Sequence, residues 1–149
     1  MTIKELAYSA QQHLQVRTGS TFKRSHIYEL LAASFGFNTY TALSCEAVFT
    51  QQRLEANHPM QHHAEIRQRC VDLGYQSGTA DVTSSELSAF LAEHQIDVVR
   101  VSDLASDLRD EYQDWGGYPQ WDEEFSPILL DGLEAAATRG NALAHYALA

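Results

Sequence analysis

The chain has 149 residues, 44% of them hydrophobic and 20% charged, which is enough to bury a core without metals or disulfides and excludes a disordered chain. The formal net charge is -10 and the sequence pI is near 5.0, so the chain as a whole is repelled by nucleic acid and by anionic membrane. The charge is uneven: residues 1–70 carry seven Lys/Arg against five carboxylates and five of the seven His, whereas residues 71–149 carry three Arg against fifteen carboxylates.

Thr2 and Glu5 have the spacing of a capping box, and Ile3, Leu6, Ala7, Ala10 and Leu14 recur at helical spacing behind them. This predicts a first helix that stops near Gly19. Ser25 is read as the N-cap of a second helix, with Ile27, Leu30, Leu31 and Ala32 or Ser34 inside and Gly36 at its end. Asn38 or Thr39 then caps a third helix, read as Tyr40 to Thr50, with Tyr40, Leu43, Ala47 and Val48 on its inner face. Asn57, followed by Pro59, is read as the start of a fourth helix with Ile66, Cys70 and Leu73 inside and Gly74 at its end. Tyr75 to Asp81 read as a loop around Gly78, and Thr83 with Glu86 as a second capping box that opens a short helix ending near His94.

Ile96, Val98, Val99 and Val101 are β-branched and roughly alternate, so they fit either a strand or a buried connection. We favour the connection, because a single strand would lack a partner. Ser102 caps a further helix with Leu104, Ala105 and Leu108 inside, and a loop follows in which Trp115, Tyr118 and Trp121 are ringed by Asp114, Asp122, Glu123 and Glu124. Ser126-Pro127 opens the last helix, with Ile128, Leu129 and Leu133 on its face and Gly140 at its end.

Two segments resemble known families. Leu133 to Ala149 reads LEAAATRGNALAHYALA, and Ala136, Ala137, Gly140, Asn141, Ala142, Ala144, Tyr146 and Leu148 fall where a Sel1-like, TPR-type repeat has its small residues, helix-ending glycine and next helix. The resemblance covers about the last 17 residues. It implies a helical solenoid that binds other proteins, and because such repeats stack in numbers, it predicts a longer protein that continues past Ala149. Ser25 to Leu43 is similar to the small helical segment at the front of some bacterial proteins of the glyoxalase superfamily, through Ser25, His26, Glu29, Leu30, Leu31, Ala32, Gly36, Phe37, Tyr40, Ala42 and Leu43. It implies a helical unit and no glyoxalase chemistry, since nothing after it resembles that catalytic metal-binding sheet.

Chemistry-bearing groups are few. His58 and His62 stand at i, i+4, with His63, Glu65 and Cys70 following, and such a pair on a helix can grip a metal. No second cluster supplies the remaining ligands, so a solvated helix face is the simpler reading and no metal or cofactor is assigned. Lys23, Arg24 and His26 precede a helix-turn-helix-like segment, residues 25–50, but the third helix carries Glu46 and no Lys or Arg with which to read bases. The paired carboxylates are consecutive and loop-bound, which suits a solvated surface better than acid–base catalysis. Cys45 and Cys70 read as reduced, partly buried thiols. The N-terminus lacks a signal-like apolar run and no stretch has the length of a membrane span, so a cytoplasmic location is expected.

These features define an all-α fold: a three-helix unit (1–55), a helical region with an acidic aromatic loop (56–124) and the beginning of a Sel1-like repeat (125–149). The expected function is non-catalytic protein–protein interaction. Trp115, Tyr118, Trp121, Asp122 and Glu123 form the candidate contact surface, because Trp and Tyr rimmed by charge mark interaction sites. The competing reading of that loop is that its aromatics pack the last helix onto the body. A nucleic-acid-binding regulator acting through Lys23, Arg24 and His26 is the first alternative. A metal-dependent enzyme using His58, His62 and His63 is the second.

Overall fold

Helix α1 (Ile3–Thr18) begins as its sequence dictates. The Glu5 amide donates to Thr2 Oγ1 at 3.3 Å, and Glu5 Oε2 accepts from the Thr2 amide at 2.7 Å, so two otherwise orphaned N–H groups are satisfied reciprocally. The helix ends at Gly19, and Leu6, Ala7, Ala10 and Leu14 are its buried stripe. This is the computed structural model of the chain, and it describes residues 2–50, 62–102 and 138.

Helix α2 (Arg24–Ser34) buries Ile27, Leu30, Leu31, Ala32, Ala33 and Ser34, and Ser34 returns its hydroxyl to the Leu30 carbonyl at 2.8 Å. Lys23, not Ser25, is its N-cap, and no side chain caps it. Helix α3 (Tyr40–Glu46) is much shorter than expected: the chain leaves the helix at Ala47 and forms strand β1 (Ala47–Thr50). Helix α4 (His63–Asp72) buries Ile66 and Cys70. Helix α5 (Ser77–Glu93) starts before the expected loop is over, so Gly78 is helical and Thr83 is a buried mid-helix residue instead of a cap. Strand β2 (Asp97–Arg100) pairs with β1.

The β1–β2 pairing corrects the expectation for residues 96–101. The objection to a strand was its missing partner, and Ala47–Thr50 supplies one. These four residues, Ala-Val-Phe-Thr, are rich in strand-forming types. The described part of the chain is nonetheless mostly helical, five helices against one two-stranded sheet, and belongs to the all-α class.

The chain divides into two units, one of Met1–Leu43 with Gln51–Asp97, the other of Ser44–Thr50 with Val98–Ala149. In the first, α1 packs against α2 and α5, and α4 packs against α2 and α5, around a core that includes Leu6, Leu14, Phe22, Ile27, Leu30, Leu31, Ile66, Leu87 and Leu91, all nearly or wholly buried. In the second, the described residues include the end of α3, β1 and most of β2, with Arg100 Nη1 3.7 Å from Glu46 Oε2.

Three helices end in the same way. In α2, α4 and α5 the N–H two residues past the cap reaches the carbonyl three residues before the cap: Phe37 to Ala32 at 2.8 Å, Tyr75 to Cys70 at 3.2 Å, and Ile96 to Leu91 at 3.0 Å. The intervening left-handed residue is Gly36, Gly74 and, in α5, Gln95 at φ 53°. No helix of the described residues is long and apolar enough to cross a membrane.

Candidate functional site

Two of the three basic residues at the start of α2 are engaged by neighbouring side chains. Arg24 Nε donates to Gln11 Oε1 at 2.9 Å, and its guanidinium lies 5.3 Å from the Tyr8 ring centroid. His26 Nδ1 meets the Tyr75 hydroxyl at 2.8 Å, with the two rings edge to face. Lys23 and Arg24 both stand exposed at the helix start, and no side-chain bond caps it. The segment that follows is also wrong for groove reading. A helix-turn-helix presents its second helix to the bases, whereas α3 has seven residues, about 10 Å, and gives way to a strand.

His58 lies outside the described residues. His62 stands before the first residue of α4 as its N-cap and His63 opens the helix, so His62 is not on the helical face that an i, i+4 metal pair requires. The His62 ring instead lies over the α2–α3 turn: a methyl group built on Gly36 would come within 2.8 Å of His62 Cε1. His62 Nδ1 is buried without a hydrogen-bond partner, 3.8 Å from Glu65 Oε1. Among the described residues, no three His, Cys, Asp or Glu side chains are grouped to hold a metal ion.

Long-range polar ties, invisible in the sequence, brace the helices. His13 Nε2 and Arg17 Nε, both on α1, approach Glu86 Oε2 of α5 at 3.1 and 3.5 Å. Phe90 is flanked by two imidazoles, with ring centroids 5.1 Å from His13 and 4.3 Å from His94. Glu29 of α2 accepts from Arg69 of α4 at 2.8 Å and from the Tyr40 amide at 3.3 Å, so one carboxylate ties α4 to α2 and caps the first turn of α3. Arg67 of α4 pairs with Asp81 of α5. Glu86 and His13 are 73 positions apart, and no local pattern announces such a pair. Each exposed pair is worth at most about 1 kcal/mol, and their common role is to orient helices already held by apolar burial.

Two nucleophilic groups face the core. Burial pushes the Cys70 thiol above its ordinary pKa, and the nearby Thr83 hydroxyl acts in the opposite direction. The Tyr75 phenol is likewise raised, first by burial and then by the proximity of Cys70, against a hydrogen bond with the Lys23 backbone. Both shifts keep the proton on, the reverse of what an activated nucleophile needs. Trp115, Tyr118, Trp121, Asp122 and Glu123 lie outside the described residues, as does the Leu133 to Ala149 segment apart from Thr138. No family model, no curated protein and no solved structure matches the chain.

Proposed function

We propose that the chain is a non-catalytic adaptor whose helical body carries an acidic, aromatic segment that binds a cationic region of another protein. The observation that carries this reading is the run between Arg109 and Arg139. It holds eight carboxylates and no Lys or Arg, together with Tyr112, Trp115, Tyr118, Trp121 and Phe125. Aromatic faces attract Lys and Arg side chains, and a carboxylate-rich surround steers them in. Trp and Tyr are also the residues on which protein interfaces most often concentrate their energy.

The polar groups of the helical body support the same reading. His13, Arg17, Glu29, Arg67, Arg69, Asp81 and Glu86 are spent on one another between helices, as a scaffold requires. The resemblance of Leu133 to Ala149 to Sel1-like repeats adds a family known for protein binding.

The test is a pull-down with the 149-residue protein as bait, with and without nuclease, beside a Trp115→Ala/Tyr118→Ala/Trp121→Ala variant checked by circular dichroism. We expect a protein partner that survives nuclease and is lost from a variant with unchanged helicity. Collapse of the variant's fold would place these aromatics in packing. Recovery of nucleic acid, or of partners that depart with it, would favour the regulator instead.

A further inference from the structure

We draw no further inference here: the strongest candidate, the uncapped N-terminus of α2 with Lys23, Arg24 and His26 beside it, rests on a helix end alone, with Arg24 held by Gln11 and Tyr8, His26 held by Tyr75, and no second observation to point to a ligand.

Discussion

Gly36 shows how a single missing methyl group can join two parts of the core. Its φ of +76° alone disfavours any L side chain by about 1–2 kcal/mol. Gly74 occupies the same position after α4 with φ +96°, but a methyl group there would meet nothing within 4 Å. The two substitutions therefore separate backbone strain from collision. Gly74→Ala should lose about 1 kcal/mol and Gly36→Ala about 1 kcal/mol more, measured as urea midpoints. Adding His62→Ala should recover the excess in the Gly36→Ala background, and a strictly additive double-mutant cycle would mean the His62 ring is not the obstacle. The buried thiol and the partly exposed phenol make a separate prediction at high pH. Cys70 and Tyr75 hold their protons in the folded chain above the pKa they have when unfolded. Their contribution is complete below the unfolded values, about 8.5 and 10, and falls as pH rises past them. Stability should therefore decline from about pH 8.5 upward, and Cys70→Ala should flatten the first part of that decline. An unchanged slope in the variant would remove Cys70 as its source. Iodoacetamide should reach the half-exposed Cys45 in the native protein and Cys70 only on unfolding.

Between the elements, the contrast of Gly36 with Gly78 explains which boundaries could be read. Glycines that follow a completed apolar stripe, at Gly19, Gly36 and Gly74, do end helices, because there the left-handed turn satisfies the last carbonyls. Gly78 was read as a breaker by the same rule, yet it is the second residue of α5, where the helix is only starting. A methyl group there would meet nothing within 4 Å, so Gly78→Ala should stabilise the protein by about 0.5–1 kcal/mol, seen as a raised Tm. A destabilised variant would return these residues to a loop. Thr83 and Glu86 mimic a capping box for a related reason: the pattern is local, while their environment is not. Thr83 is buried inside α5, and Glu86 reaches across to α1. The end of α3 failed differently. Tyr40, Leu43, Ala47 and Val48 fit a helical face, but Ala47–Thr50 also fits a strand, and so short a run cannot be decided by periodicity. What decides it is the β2 partner about 50 residues later, a tertiary contact that no window along the chain contains. The apolar stripes of α1 and α2 were legible because their period alone determines the buried face. The ties His13–Glu86 and Glu29–Arg69 were not, because nothing local requires them.

Across the whole molecule, the uneven charge gives the adaptor reading a measurable kinetic form. Charge at a distance governs how fast partners meet, and aromatic contact governs how long they stay. The two can be separated with the partner recovered by pull-down, using rates measured on immobilised 149-residue protein. Reversing the local charge by Asp122→Lys/Glu123→Lys/Glu124→Lys should slow association several-fold at about 0.1 M salt, where the screening length is about 10 Å. The difference should shrink toward nothing near 1 M, where that length is about 3 Å. Trp121→Ala should do the opposite, speeding dissociation about tenfold or more at either salt concentration, as losing a contact worth about 1.4 kcal/mol or more would. A charge reversal without effect on association at low salt would show that the acidic run serves solubility and leave the aromatics as the sole candidates. If Trp121→Ala also changed association alone, with dissociation untouched, the proposed contact surface would be wrong and the partner would have to dock elsewhere on the helical body.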